Sequence, residues 1–332
     1  MIPVGPQVSR RALLAAGVAV LFGPRGVDAQ LAARTARIGI LASSAAPAFA
    51  TNVDVFRRAL GELGWVEGRN LVLEVRYADA YQRLPVLAAE LVGLNVDVIF
   101  AMGSPATQAA QQTTATVPIV FETLGDAVST GLVPNLTRPG GNFTGFSGFA
   151  PDLTGKQLEL IREILPPASR VALLANSDNV ATAVVVRATE GFATQMGIQL
   201  LVVKVRQPAE LNAAFQTIVR AGANALVVAV DPMFSSQRQR IVELAARHRL
   251  PAAYASGDFP EVGGLLSYGQ RPTERFLRAA AYVDRILRGA RPGDLPVEQP
   301  SAFELVLNLK TARALKLELP PSVRLRATYV IE

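Results

Sequence analysis

The sequence predicts an α/β protein of two similar doubly wound lobes with mainly parallel sheets and a hinged cleft between them. Three observations predict it. Short apolar runs recur along the chain, such as the V-I-F-A-M that closes V-D-V-I-F-A-M at 96–102. They are too short for helices and suit strands buried on both faces. Stretches of helical period separate them, the rhythm of an open parallel sheet. The order then repeats: Arg37, Arg76, Asp97 and Pro118 have counterparts in Arg170, Arg206, Asn224 and Pro251, all displaced by a nearly constant interval.

Residues 1–29 read as an export signal. Arg10 and Arg11 precede an apolar run at 12–22, and Val27-Asp28-Ala29 has the small residues of a cleavage site. The run is short for a bilayer span. The expected location is therefore the periplasm, with cleavage near Ala29.

In the first lobe, A-R-I-G-I-L at 36–41 is the first strand, and the small-residue loop at 42–47 follows it. Val53, Phe56, Leu60 and Leu63 form one helical stripe that Gly64 ends. L-V-L-E-V-R-Y at 71–77 alternates enough for an edge strand, and 85–94 is helical. The central strand at 96–102 meets Gly103, which frees the backbone to turn, and Ser104 before Pro105 has the residue types of an N-cap and first helical position. V-P-I-V-F at 117–121 is a further buried strand, followed by Thr123 and Asp126.

In the second lobe, 170–175, 200–206, 224–230 and 250–254 repeat those strands, and Asp231-Pro232 mirrors Ser104-Pro105. Gly264 to Gly269 is another short strand, and 273–288 is an amphipathic helix. The expected division is 37–148 plus about 264–292 for the first lobe and 149–263 for the second. Residues 293–332 supply crossing and C-terminal elements of unassigned lobe.

Composition narrows the function. The 332 residues are 50% hydrophobic, enough for two cores. The net charge is +6, but Lys and Arg are scattered with no basic-aromatic tract, which argues against nucleic acid as a partner. Absence of cysteine excludes disulfides, thiolate catalysis and cysteine-ligated metals. His248, the sole histidine, sits near a helix end where a cation is favoured and reads as structural. No carboxylate cluster has metal-ligand spacing. There is no Gly-x-Gly-x-x-Gly after the first strand, no Walker sequence and no Gly-x-Ser-x-Gly. Neither an enzyme nor a fixed cofactor is expected.

Longer stretches carry a family resemblance over about 37–332. They include L-G-E-L-G-W-V-E-G-R-N-L (60–71), L-T-R-P-G-G-N-F-T-G (136–145), G-G-L-L-S-Y-G (263–269) and F-E-L-V-L-N-L-K-T-A-R-A-L (303–315). The chain resembles the periplasmic substrate-binding proteins of ABC uptake transporters, in the subgroup related to tryptophan- and tyrosine-type binding components. The resemblance implies a type I bilobed fold with three crossings and a hinge, and an ABC transporter permease as partner to a monomer. It further implies a ligand carboxylate held by the first lobe, here by Ser104 and Thr123. The ligand amine would meet the second lobe at Asp231, with Asn176 and Asp178 nearby. Where the family shows Gly-Asp-Pro-Val, this chain has Gly125-Asp126-Ala127-Val128.

Ligands of such sheets sit beyond the carboxyl ends of the strands. The candidate contacts at those ends are Ser43, Ser44, Gly103, Ser104, Thr123, Asp126, Asn176, Asp178 and Asp231. Tyr254 and Tyr268 also end short strands and are candidate stacking surfaces. The expected ligand is an amino acid or a small carboxylate. A ligand-sensing regulator on the same bilobed fold, or an α/β enzyme, is the alternative.

Overall fold

The computed structural model describes residues 35–332 apart from 124, 149, 167, 271 and 301. The expected export signal at 1–29 lies outside the described residues.

The first sheet is built from β1 (Ala36–Ala42), α1 (Ala46–Glu62), β2 (Leu71–Tyr77), α2 (Leu84–Gly93), β3 (Val98–Met102), α3 (Ser104–Thr113), β4 (Ile119–Glu122) and β5 (Phe143–Phe146). All five strands are parallel, in the order β2-β1-β3-β4-β5. The alternating 71–77 segment is the edge strand, as its sequence predicts. Side chains of the inner strands divide by parity between two cores. Ile38, Ile40, Val98 and Phe100 face one, while Leu41, Ile99, Ala101 and Phe121 face the other. Burial on both faces is why these strands read as continuous apolar runs.

The chain then crosses to α4 (Ala150–Ile164), β6 (Arg170–Asn176), α5 (Thr182–Gln195), β7 (Gln199–Val205), α6 (Leu211–Arg220) and β8 (Ala225–Val228). Next come α7 (Pro232–Ser236), α8 (Arg238–Arg247), β9 (Ala252–Tyr254), α9 (Asp258–Glu261) and β10 (Leu266–Gly269). Five of these strands have the order β7-β6-β8-β9-β10, which repeats the first sheet strand for strand. The interval seen in the sequence is therefore a repeat of topology.

This repeat corrects one boundary. Residues 264–269 were expected in the first lobe, but β10 pairs in parallel with β9 and is the counterpart of β5. Each lobe needs its own fifth strand to cover its fourth, so the chain leaves each lobe only after completing it. The next helix, α10 (Pro272–Leu287), does return to the first lobe. Its Phe276 ring stands edge-on to Phe100 at 6.1 Å, and Asp284 accepts the Trp65 indole N–H at 2.8 Å.

A final crossing leads to β11 (Glu304–Asn308), α11 (Leu309–Ala314), α12 (Pro321–Arg326) and β12 (Tyr329–Ile331). β11 lies antiparallel to β10 and parallel to β12, so these C-terminal elements extend the second sheet to seven strands. Where the chain passes between lobes, Ser147 N–H donates to Glu298 O and Glu298 N–H to Gly145 O, both at 2.9 Å. Two of the three crossings, one leaving each lobe, follow a glycine in the fifth strand. A β-carbon on Gly145 would lie 2.0 Å from the Phe121 carbonyl oxygen, and one on Gly269 1.8 Å from that of Ala255.

Candidate functional site

The carboxyl ends of β1, β3 and β4 form the rim of the first lobe. At Gly103 the backbone takes a φ of +92°, which a glycine adopts without strain, and its N–H donates to Glu122 O at 2.8 Å. This turn makes Gly103 the N-cap residue and Ser104 the first residue of α3, so the helix starts one position earlier than expected. Glycine has no side chain to cap the helix, and Ser43 from β1 supplies the missing acceptor. Its Oγ receives the Ala106 N–H at 2.8 Å. The Ser104 hydroxyl is thereby left free to hydrogen-bond with that of Thr123, whose oxygen also accepts the Gly125 N–H at 3.2 Å. The Ser44 Oγ, next along the chain from Ser43, is buried with no partner among the described residues.

The second lobe offers a different chemistry at the matching ends of β6 and β8. Asp231 has the extended conformation of an N-cap and accepts the Met233 N–H at 2.8 Å, starting α7. Its carboxylate also accepts Asn176 Nδ2 at 3.2 Å and Asn179 Nδ2 at 2.8 Å. Only 3% of Asp231 is exposed. Burial pushes its carboxyl above the ordinary value, and the surrounding donors pull against that shift.

One further donor comes from the opposite lobe. The Tyr81 hydroxyl lies 3.0 Å from both oxygens of Asp231. Desolvation first and the Asp231 charge second raise that phenol well above its usual range. Next to it, Gln82 Nε2 donates to Asp178 at 2.8 Å, a second bond between lobes.

The two rims are close. A β-carbon on Gly103 would meet Pro232 Cγ at 3.0 Å, and one on Gly125 would meet Ala181 Cβ at 3.3 Å. Between Gly103, Ser104 and Gly125 on one side and Asn179, Ala181 and Pro232 on the other lies a gap of about 20 Å³, counted as room for the centre of a water molecule. That is space for about one water. At its mouth, beside Tyr81, Gln82, Asn176 and Asp178, a polar recess of about 400 Å³ opens. One rim thus offers hydroxyls and glycine-turn amides and the other a buried carboxylate, a set of groups that suits a zwitterion or a small carboxylate. Among the described residues no group of acidic or histidine side chains could hold a metal ion.

Most of the sequence-expected residues assemble here: Ser43, Ser44, Gly103, Ser104 and Thr123 on one rim, Asn176, Asp178 and Asp231 on the other. Three do not. Asp126 turns away to cap its own loop, accepting the N–H groups of Val128 at 2.8 Å and Ser129 at 2.9 Å. Tyr254 lies on the face of β9 that packs into the second-lobe core, stacked on Phe259 at 4.5 Å. Tyr268 stacks on Phe303 at 5.8 Å, and its carbonyl accepts Gln157 Nε2 at 3.1 Å. Strand-end position put both tyrosines among the candidates, but strand parity sends their rings to the core or the crossing. Sequence reasoning missed Tyr81 and Asn179. Asn179 was legible, three residues after Asn176 in the same turn. Tyr81 sits in a single 3₁₀ turn, Tyr81–Arg83, with no periodic pattern to mark it.

Comparison with known proteins agrees with this architecture. A curated relative, the "Tyrosine-binding protein" of Clostridioides difficile (strain R20291), is 25% identical over 79% of this chain and 76% of its own length. A crystal structure of a conserved domain protein from Vibrio cholerae O1 biovar El Tor is 28% identical with a TM-score of 0.84, covering 90% of this chain and all of that one. An ABC domain in complex with L-Trp from Streptococcus pneumoniae gives 24% identity and a TM-score of 0.82, over 90% of this chain and all of that one. A ligand-free, open substrate-binding protein from Clostridium difficile gives 25% identity but a TM-score of 0.63, over 90% of this chain and 99% of that one. The profile described as "ABC transporter substrate binding protein" matches residues 37–331, nearly the whole described chain. This chain belongs to that family of ABC transporter substrate-binding proteins.

Proposed function

We propose that this solute-binding component works outside the cytoplasm, takes an amino acid or small carboxylate between its lobes, and delivers it to an ABC permease as a monomer. The observation that carries the reading is a buried carboxylate, Asp231, on one rim and the Ser104–Thr123 hydroxyl pair on the other. A ligand carboxylate would take the two hydroxyls and the first-turn amides of α3, where the helix N-terminus favours negative charge. A ligand ammonium would take the place of the Tyr81 hydroxyl at Asp231. Tyrosine and tryptophan, named for two similar proteins, are the first ligands to try. Export rests on the signal-like residues 1–29, and permease delivery rests on the family. The site pairs no nucleophile with a base, so the reading is binding without catalysis.

The gap holds about one water, so the lobes must separate about the crossings before a ligand enters and close again over it. A thermal-shift screen of L-amino acids and small carboxylates tests the assignment. A specific ligand raises the melting temperature in proportion to the logarithm of its concentration above Kd. Response only to nucleotides or DNA would overturn it.

A further inference from the structure

A second cavity, unrelated to the cleft, lies in the second lobe. Its walls come from the residues before β9 and β10 and from α11, which follows the antiparallel β11. All three place it at the edge of the sheet opposite Asn176 and Asp231. Its volume is about 340 Å³. Val242, Leu265 and Leu315 make an apolar wall.

Polar features converge on this space. Tyr254 lines it, is 1% exposed, and its hydroxyl makes no hydrogen bond among the described residues. Burial raises its phenol above the ordinary value. A phenol O–H on the lining is a donor that a ligand oxygen can accept from. The ring fits only because residue 264 is glycine: a β-carbon there would lie 2.7 Å from Tyr254 Cε2. Arg249 and Lys310 stand exposed on the lining, and neither forms an ion pair with a described residue. No lining residue carries a carboxylate. Arg249 holds a φ of +51° as the left-handed residue that ends α8, where Leu250 N–H donates to Ala245 O at 2.9 Å.

We propose that this cavity is a second binding site, for a small amphipathic anion with an apolar body and one carboxylate. The apolar part packs on Val242, Leu265 and Leu315. The carboxylate stays near Arg249 and Lys310, and the Tyr254 hydroxyl donates to it or to a polar atom of the body. The site is separate from the cleft and does not depend on what binds there.

Titration calorimetry with 4-phenylbutyrate, and with 4-phenylbutan-1-ol as its neutral counterpart, tests the proposal on the full-length mature protein. The acid is expected to bind one to one and the alcohol more weakly. Tyr254→Phe should weaken the acid about tenfold through loss of one hydrogen bond to a charged group. Lys310→Gln, at an exposed position that leaves the core intact, should weaken it about threefold. Ser104→Ala should leave it unchanged. Absence of binding at millimolar acid would overturn the proposal, as would equal affinity for the alcohol. So would binding that Ser104→Ala abolishes and Tyr254→Phe spares, which places the acid in the cleft.

Discussion

The Tyr81 hydroxyl of the first lobe donates to the Asp231 carboxylate of the second, 3.0 Å from each oxygen. The pair joins the rims exactly where a ligand amine is proposed to sit. It therefore holds the lobes together and occupies the acceptor a ligand would need. The same bond acts as latch and as competitor.

Removing the latch should open the protein. A hydrogen bond to a charged acceptor contributes about 1.5–3 kcal/mol, so Tyr81→Phe should shift the lobes toward the open form by about tenfold or more. Small-angle X-ray scattering should show a larger radius of gyration for the variant. Identical scattering curves would mean that other contacts set the closed arrangement.

Asp231 makes stability depend on pH in a stated direction. Its folded pKa is raised above 3.8, so its contribution is fully present below that value and is lost as pH rises through the raised one. Asp231→Asn removes the titration while keeping an N-cap acceptor. The melting temperature of the variant relative to the wild type should rise from about pH 4 to about pH 7. A constant difference across that range would contradict the buried, titrating carboxylate.

The glycines of the fifth strands should be intolerant. In Gly145→Ala or Gly269→Ala the new methyl meets the carbonyl oxygen of Phe121 at 2.0 Å or of Ala255 at 1.8 Å, and backbone gives way less easily than a side chain. Each variant should lose about 3 kcal/mol or more. Urea denaturation measures this, and a loss below about 1 kcal/mol would show the strands free to move apart.

Glu122 ends β4 almost fully buried and pairs with Arg275 of α10. Arg275→Met leaves that charge alone and should cost about 3–5 kcal/mol. Adding Glu122→Leu should recover most of the loss. No recovery in the double variant would mean that packing of Arg275, and not its charge, is what matters.

Much of the fold was legible because parallel strands buried on both faces leave unmistakable apolar runs, and because Arg37 and Arg170 begin the same series. The boundary at 264–269 was misplaced because a four-residue strand has no period of its own. Its counterpart β5 was the available signal. At the site, Ser104, Thr123 and Asp231 announce themselves as polar residues closing apolar runs. Asp126 does so equally, yet caps its own turn, since an aspartate satisfied by local N–H groups looks the same in sequence. Tyr81 could not be found that way, because its partner lies 150 residues along the chain.

The claim under all of these is that closure about the crossings traps a ligand between the rims. Because the chain has no cysteine, Val128→Cys and Val180→Cys give one spin label on each lobe with no background. Both positions are exposed, at 41% and 38%. The distance distribution by double electron–electron resonance should shorten and narrow to one peak on saturation with L-tyrosine, L-tryptophan or another member of the amino-acid and carboxylate panel. A distribution unmoved by a ligand that calorimetry shows to bind would contradict the account.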